Sequence, residues 1–317
     1  MRRVIVEPPV FPLEAVRALL DGTNVVVNDT PRPWSGDDVI GLLVWRAVSA
    51  ADMAGLPGLR AIVTGSIGYE HIDLEAARAR GIWVCNVPEY CIDEVADTTI
   101  ALLLALIRGV VALDRTVHNG QWDDHAAGPL PRLSDVRLGV IGFGRIGRAV
   151  ARRSRALGLK TWATDPVVTP DEIVASGAMP AELDDLLKQC TAVTLHLPLS
   201  GTTERMIGPD ELALMPRGSY LINTARGPLV DTEAVLEALD SGQLAGAALD
   251  VLSEEPPTAS QPAPQHPRLI VTPHAAWYSP ASEREVIEGA SRSLRDVLDG
   301  RQPAQGVVLS GKELSID

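Results

Sequence analysis

Three ionisable residues in the second half of the chain each follow a predicted β-strand. Arg226 follows the run Tyr-Leu-Ile-Asn-Thr-Ala, Glu255 follows Leu-Asp-Val-Leu-Ser-Glu, and His274 follows Ile-Val-Thr-Pro. In open α/β sheets the carboxyl ends of the strands line the ligand crevice, so side chains 29 and 19 residues apart can converge there. A guanidinium binds a carboxylate and polarises a carbonyl group, and an imidazole beside a carboxylate exchanges protons. This combination predicts acid–base chemistry on a bound anion.

A glycine-rich turn lies between a predicted strand and a predicted helix. Gly142, Gly144 and Gly147 form the pattern GxGxxG, in which the first allows the tight turn, the second lets a pyrophosphate approach the backbone, and the third lets helix and strand pack closely. The helix N-terminus offers its N–H groups to the phosphates. Asp165 ends the next strand, where a carboxylate binds a ribose 2′-hydroxyl and repels a 2′-phosphate, which favours NAD over NADP. Arg145 either lies along the pyrophosphate or is an ordinary solvated residue.

Together the two motifs predict hydride transfer between a nicotinamide and the carbonyl carbon of a 2-oxo acid. Protonated His274 supplies the proton, while Glu255 favours the imidazolium and fixes its orientation. Arg226 holds the substrate carboxylate and polarises the carbonyl group, and Asp250 binds the carboxamide of the nicotinamide. Taken singly, each of the three catalytic candidates also fits a structural role: a satisfied histidine, a charge in an acidic loop, or a surface ion pair.

The elements that position these residues alternate between apolar β-rich runs and helical patterns, which is typical of parallel sheets covered by helices. The predicted elements of the first part are strands Arg3–Val6, Asn24–Asn28, Ile40–Trp45, Leu59–Val63 and Ile82–Cys85, and helices Leu13–Leu20 and Leu74–Arg80. A single long helix is predicted from Asp93 to His118, where Asn-Gly follows as a stop signal. The polar segment Gln121–Asp135 contains Gly and Pro and is predicted to connect two domains.

The alternation restarts after this segment. The predicted elements are strands Leu138–Ile141, Lys160–Ala163, Ala192–Leu197, Tyr220–Asn223, Ala245–Leu249 and Leu269–Val271, and helices Arg145–Leu157, Leu183–Lys188, Pro209–Met215 and Thr232–Ser241. A last amphipathic helix, Ser282–Leu298, has too little chain after it to begin a third domain. We therefore expect it to return to the first domain, with a cleft between the two lobes.

Composition excludes several classes of protein. The 317 residues carry 28 basic and 41 acidic side chains, a net charge of −13 that repels nucleic-acid phosphates. The longest apolar run, Ile100–Ile107, has eight residues, whereas a membrane span needs about 20. The three cysteines have no CxxC spacing, so neither a disulfide framework nor a metal site is expected. These features predict a cytoplasmic protein that binds neither nucleic acid nor membranes.

Several motifs in order resemble the D-isomer-specific 2-hydroxyacid dehydrogenases over nearly the whole chain. They are Gly68–Asp73, Cys85–Pro88, Gly142–Gly147, Ile222–Gly227, Gly246–Val251 and Glu255-Pro256. The resemblance implies an α/β fold of two doubly wound parallel-sheet domains, a Rossmann NAD domain (99–281) and a discontinuous flavodoxin-like substrate domain (1–98 and 282–317), with an interdomain cleft. It also implies a homodimer and Arg226, Glu255 and His274 as catalytic residues.

The segment around Thr272–Ser279 looks most like the branch that contains the C-terminal-binding proteins. In that branch the residue matching Trp277 faces the substrate; a packed loop aromatic is the alternative. The family's substrate loop matches Thr64–Gly68, where N–H groups near Ile67 and Gly68 bind the carboxylate. That branch has an arginine at the position of Thr64, and Arg46 either compensates for it or is solvated.

The resemblance implies a larger set of residues that bind NAD(H). The set is Thr99, Gly142, Gly144, Arg145, Ile146, Gly147, Asp165, Pro166, His196, Thr224, Ala225, Asp250 and His274. Two classes of function remain open. One is an NAD-dependent reductase of a small 2-oxo acid, including acids with a second carboxylate or phosphonate; the other is an NAD-sensing regulatory protein, like a co-repressor, with vestigial catalysis.

Overall fold

Two β-sheets organise the chain, which the computed structural model describes over residues 2–311. Each sheet is the centre of one compact unit. Unit 1 is built from the chain up to Tyr90 and from Tyr278 onward, and unit 2 is Cys91–Trp277. The unit boundaries thus fall at 90/91 and 277/278, eight and four residues before the predicted 98/99 and 281/282.

The elements of the first part of unit 1 are β1 (Arg2–Val6), α1 (Leu13–Leu19), β2 (Val25–Asn28), β3 (Val39–Val44), α2 (Ala50–Ala54), β4 (Ala61–Thr64), α3 (Leu74–Arg80) and β5 (Trp83–Cys85). Those of unit 2 are α4 (Ile92–Ile107), α5 (Val110–His118), β6 (Arg137–Ile141), α6 (Arg145–Ala156), β7 (Lys160–Thr164), α7 (Pro170–Ala175), β8 (Met179–Pro180), α8 (Leu183–Gln189), β9 (Ala192–Leu195), α9 (Pro209–Leu214), β10 (Ser219–Asn223), α10 (Thr232–Ser241), β11 (Leu244–Leu249) and β12 (Leu269–Val271). The chain then returns to unit 1 with α11 (Pro280–Leu298) and β13 (Val307–Leu309).

The sheet of unit 1 has the strand order β13-β5-β4-β3-β1-β2. All its strands are parallel except β13, which runs antiparallel to β5 at the edge. All six residues of β3 are buried because helices cover both faces of a parallel sheet. The returning helix α11 packs so closely on β3 that a Cβ at Gly41 would lie 2.9 Å from Leu294 Cδ1. This is the flavodoxin-like order, closed by a helix from the far end of the sequence.

The sheet of unit 2 is parallel throughout, in the order β12-β11-β10-β9-β6-β7-β8. The order reverses between β6 and β9, which is the Rossmann arrangement with one added strand. Ligands of doubly wound sheets bind at the carboxyl ends of the strands at this reversal. The predicted fold class, two doubly wound α/β domains with one of them discontinuous, is therefore confirmed, while the predicted cleft stays a prediction.

The prediction of one long helix over 93–118 is wrong. The helix breaks at Gly109, which has φ 61° and lies so close to the loop below that a Cβ would be 2.5 Å from Ala127 Cβ. Within residues 2–311 no single helix is long and apolar enough to cross a membrane; only α4 and α5 together, which meet at a 61° bend, reach that length and composition.

The predicted domain connection at Gln121–Asp135 is also wrong, because this segment lies inside unit 2 between α5 and β6. Four short elements were not predicted: α2, α7, β8 and β13. Both helices carry a capping box, Ser49 with Asp52 and Thr169 with Glu172, so their start signals were present in the sequence. The two strands have only two and three residues at sheet edges, too few to show a period.

Candidate active site

The three catalytic candidates follow three neighbouring strands of unit 2. Asn223, which ends β10, is paired with Leu249 of β11, and Leu249 is paired with Val271 of β12. Arg226 and His274 each come three residues after their strand, on either side of β11. Parallel register therefore carries both side chains out of the same edge of the sheet.

His274 and Glu255 form a hydrogen-bonded pair, with 2.6 Å between Nδ1 and Oε2. The other carboxylate oxygen of Glu255 accepts the N–H of Leu252 at 2.7 Å. Because Nδ1 is bound to Glu255, Nε2 is the ring nitrogen that can exchange a proton with a ligand. The side chains are 44% and 33% exposed, so a ligand can reach them.

The pKa of Glu255 is lowered from its ordinary value. Partial burial acts in the opposite direction and raises the pKa. It is outweighed by the hydrogen bond and charge of His274, the N–H of Leu252 and the positive charge of Arg226. Glu255 is therefore ionised near neutral pH, and the electrostatic effect of Arg226 on it links all three predicted residues.

The loop that carries His274 is held by a buried carboxylate. Asp250 is 1% exposed and accepts hydrogen bonds from the Thr272 hydroxyl at 2.6 Å and from the N–H groups of Ala275 and Ala276 at 3.0 and 2.9 Å. The backbone of His274 is left-handed, with φ 52°, and its N–H donates to the Asp250 carbonyl at 2.7 Å. Asp250 thus anchors the loop, and its contact with a nicotinamide carboxamide stays a prediction.

The loop that carries Arg226 is held by a buried amide. Asn223 donates to the Arg226 carbonyl at 2.8 Å and accepts the N–H of Ala225 at 3.0 Å. Gly227 then lies against the Glu255 loop so closely that a Cβ would be 2.0 Å from the carbonyl carbon of Leu252. Only glycine permits this approach, which brings the Arg226 and Glu255 loops together.

The glycine-rich turn lies where the strand order reverses. Gly142 has φ 93°, and a Cβ there would be 2.6 Å from the carbonyl carbon of His196, which follows β9. A Cβ at Gly147 would be 2.1 Å from the Gly142 carbonyl oxygen, so helix α6 packs directly on the turn. A Cβ at Gly144 would meet nothing within 4 Å. The N-terminus of α6 is therefore open to a ligand, as a pyrophosphate site requires.

Asp165, which directly follows β7, binds the backbone of this turn. Its carboxylate accepts the N–H of Phe143 at 2.6 Å and those of Val167 and Val168 at 2.8 and 2.9 Å. The carboxylate therefore joins the glycine-rich turn to the turn after β7, and its predicted bond to a ribose remains untested.

The other predicted cofactor residues lie around the same sheet edge. The hydroxyls of Thr99 and Thr224, both buried, are 2.8 Å apart. His196 is partly exposed as a residue, but its ring is enclosed, and this burial lowers its pKa to about 3, so the ring is neutral. Two of the remaining residues are exposed, Arg145 and Pro166, and two are half-buried, Ile146 and Ala225.

In unit 1, the predicted substrate loop follows β4. Three successive carbonyl groups are bound by the chain: that of Ser66 by the Val87 N–H at 3.1 Å, that of Ile67 by Asn86 Nδ2 at 2.6 Å, and that of Gly68 by Ser66 Oγ at 2.5 Å. In a trans peptide the N–H points away from the carbonyl group. The N–H groups of residues 67–69 therefore face the opposite side, and none of them donates to an acceptor within residues 2–311.

Thr64 and Arg46 differ in exposure. Thr64 stands where the related branch has a substrate-binding arginine, and Arg46 is the residue that could replace it. Thr64 is fully buried, and its hydroxyl lies 2.8 Å from Ser66 Oγ and 2.9 Å from His71 Nε2, so it belongs to the structure of the loop. Arg46 is exposed, and its guanidinium lies over the ring of Trp45, 4.7 Å from its centre. Trp277 in unit 2 is half-buried.

Comparison with known proteins identifies the family. Residues 100–276, more than half of the chain, match the family model of the D-isomer specific 2-hydroxyacid dehydrogenase NAD-binding domain. The chain belongs to the D-isomer specific 2-hydroxyacid dehydrogenases. It is 37% identical to a glyoxylate reductase of Thermofilum pendens over 84% of this chain and 80% of that protein. It is 40% identical to a glyoxylate reductase of Thermococcus litoralis over 69% and 68%.

The structure of a D-lactate dehydrogenase of Aquifex aeolicus, solved with NAD and lactic acid, superposes with a TM-score of 0.86. It is 27% identical, and the match covers 98% of this chain and 100% of that one. These likenesses confirm two predictions: the protein is an oxidoreductase of this dehydrogenase family, and it has an NAD-binding Rossmann domain. The resemblance to the branch of the C-terminal-binding proteins stays a prediction.

Several residues that shape the site of this dehydrogenase were missed by sequence reasoning. Asn223 and Gly227 lay within a quoted motif but had no assigned role, and the anchoring role of Asp250 was not foreseen. His71 and Asn86 were likewise quoted without a role. A buried polar residue next to a strand end was the available signal, but its bonding partners depend on the folded loops.

Proposed function

We propose that this dehydrogenase interconverts a small 2-oxo acid and the corresponding D-2-hydroxy acid, with NAD(H) as cofactor. The observation that carries the proposal is the hydrogen-bonded pair of His274 and Glu255, which lies at the same sheet edge as the glycine-rich turn. The pair supplies the proton, and the turn has the open helix N-terminus that a dinucleotide needs. The substrate class follows from the relatives.

The residues of this chain then act as follows in the reductive direction. When bound, NADH supplies the hydride that reaches the carbonyl carbon. Nε2 of His274 gives its proton to the carbonyl oxygen, and the Nδ1 bond to Glu255 stabilises the imidazolium before the transfer. Arg226 pairs with the substrate carboxylate and stabilises the negative charge that develops on the oxygen. In the oxidative direction His274 takes the proton back as a general base.

The substrate carboxylate binds the N–H groups of Ile67 and Gly68. The carbonyl groups of the same peptide units, those of Ser66 and Ile67, are bound on the opposite side by Val87 and Asn86. We take glyoxylate, whose product glycolate has no stereocentre, as the first candidate, because both relatives named above are glyoxylate reductases; the D configuration applies to larger 2-oxo acids. Trp277 limits the size of the pocket. A second anionic group on the substrate would pair with Arg46, which projects from the surface over Trp45.

The same proposal includes a preference for NAD over NADP. The carboxylate of Asp165 lies at the end of β7, where it accepts bonds from the glycine-rich turn and would repel a 2′-phosphate. Replacing Asp165→Ser should lower the ratio of kcat/KM with NADH to that with NADPH at least tenfold. An unaltered ratio would remove Asp165 from this role.

The experiment that tests the function is a panel of 2-oxo acids followed by NADH absorbance. Glyoxylate, pyruvate, branched, aromatic, dicarboxylic and phosphono acids are compared, with calorimetry of NADH binding in parallel. Oxidation of NADH that depends on a 2-oxo acid supports the proposal. Binding of NADH without oxidation by any member contradicts it and favours the NAD-sensing alternative.

We also propose that the enzyme is a homodimer. Helix α5 has no buried residue, although its sequence is amphipathic, and Trp122 just after it is 92% exposed. A second copy that covered this surface would bury the exposed apolar side chains. Sedimentation of the wild type and of Trp122→Ser tests the assembly, with a dimer that the substitution weakens as the expected result. The cytoplasmic location stays a prediction from composition.

A further inference from the structure

A chain of hydrogen bonds runs through the substrate loop of unit 1 and ends on one of its carbonyl groups. His71 Nε2 lies 2.9 Å from Thr64 Oγ1, Thr64 Oγ1 lies 2.8 Å from Ser66 Oγ, and Ser66 Oγ lies 2.5 Å from the Gly68 carbonyl oxygen. Thr64 is fully buried, whereas Ser66 and His71 are half-buried, so the centre of this series lies away from water. In such surroundings successive hydrogen bonds strengthen one another.

The donor and the acceptor of each hydrogen bond in this series can be assigned in only one way. A carbonyl oxygen only accepts, so the one hydroxyl proton of Ser66 is donated to Gly68. Ser66 must then accept from Thr64, which uses the one proton of Thr64. Thr64 must in turn accept from His71, so the proton of the His71 ring is on Nε2. The chain thus sets the tautomer of His71.

A second, independent bond fixes the neighbouring peptide group. The side chain of Asn86, 8% exposed, donates from Nδ2 to the Ile67 carbonyl at 2.6 Å. The carbonyl groups of Ile67 and Gly68 are therefore both held by side chains, and the peptide groups that contain them carry the N–H groups of Gly68 and Tyr69. These N–H groups point in the opposite direction and have no acceptor within the part of the chain that the structure describes.

We propose that His71, Thr64 and Asn86 are positioning residues that aim the N–H groups of Gly68 and Tyr69, next to that of Ile67, at the carboxylate of the substrate. The inference rests on the proposed function, because it assumes that a 2-oxo acid binds this loop. None of the three side chains brings a negative charge that would repel an anion. They do not touch the reacting atoms, so they act on binding and leave the chemical step to His274.

The test is a pair of substitutions at the centre of the chain of bonds. Thr64→Val has nearly the same shape but cannot donate or accept, whereas Thr64→Ser keeps the hydroxyl. We expect Thr64→Val to raise KM for glyoxylate, and Ki for the unreactive analogue oxamate, about tenfold through the lost bonds, with kcat changed less than about threefold. Thr64→Ser should restore KM to within about threefold of the wild type.

A second pair tests the donor at His71. His71→Gln keeps an amide N–H that can donate to Thr64, and His71→Leu keeps none. We expect the leucine variant to reproduce the rise in KM and the glutamine variant to show less than half of it. NMR of isotope-labelled histidine gives a readout without turnover: the His71 ring should carry its proton on Nε2 in the wild type. A proton on Nδ1 alone would overturn the donor order.

The outcomes separate this inference from the proposed function. If the wild type reduces no 2-oxo acid, the proposed function fails. If it does, and Thr64→Val and Thr64→Ser have the same KM, or the loss is in kcat alone, the positioning role is overturned. Calorimetry of NADH binding and the thermal unfolding temperature identify a variant that fails to fold; in that case the His71 pair decides.

Discussion

Two loops that follow strands are held in opposite ways. The His274 loop after β12 is held by Asp250, a buried carboxylate that accepts three hydrogen bonds. The substrate loop after β4 is held by uncharged side chains, of which Thr64 is fully buried and Asn86 is nearly so. Each loop presents a polar group on which the proposed reaction depends.

The difference follows from the charge that each loop has to support. In the proposed reaction the imidazole of His274 carries a positive charge before it gives up its proton, so a carboxylate beneath its loop is electrostatically favourable. The loop at 64–68 receives a carboxylate in the proposed reaction, and an anionic side chain beneath it would repel that ligand. Donors that carry no negative charge hold the loop without this repulsion. The comparison indicates that the sign of the functional charge selects the group that holds the loop.

The largest effect is expected at the group that the charged loop presents. Replacing His274→Ala should lower kcat by about 10²–10⁴-fold, because the proton donor is lost. The Kd for NADH, measured by calorimetry, should stay within about threefold of the wild type, since the glycine-rich turn is intact. Unchanged turnover would show that His274 does not transfer the proton. The explanation of the Asp250 carboxylate by the charge of His274 would then fail.

An intermediate effect is expected at the buried carboxylate. Asp250→Asn replaces an acceptor by an N–H donor that faces the N–H groups of the loop, so urea unfolding should show a loss of about 1–3 kcal/mol together with a lower kcat. Thr272→Val removes only one of the three donors and keeps the charge. Thr272→Val should lose about 1 kcal/mol of unfolding free energy, with a smaller change in kcat. Equal losses in the two variants would argue that the charge of Asp250 has no part in holding the loop.

The smallest effect is expected in the pH dependence of stability. The folded pKa of Glu255 lies below its ordinary value of 4.5 because its bonds and nearby positive charges outweigh burial. Its stabilising contribution is therefore complete above pH 4.5 and is lost as the pH falls through the lower, folded pKa. The wild type should exceed Glu255→Gln in unfolding free energy at neutral pH and lose this advantage under acid conditions. An advantage that stayed constant down to acid pH would contradict the assignment.

Local patterns in the sequence were sufficient for most of the fold. The alternation of apolar runs and helical patterns located most strands and helices, because buried parallel strands and amphipathic helices have characteristic periods. The break at Gly109 was not predicted, because the apolar spacing of the helical pattern continues on both sides of this residue. The pattern shows that a helix forms but not where the loop at Ala127 will press against it.

The amino-acid sequence by itself determined which chemical groups are available: the glycine-rich turn, the guanidinium, the imidazole and the carboxylates, each next to a predicted strand. Tertiary structure alone decided which of them meet. Thr99 reaches Thr224 across 125 residues, and Asp250 reaches Ala276 across 26, through strand order and loop packing. The physical reason is that a hydrogen bond is specified within a few tenths of an ångström, whereas residue periods specify only the face on which a side chain lies.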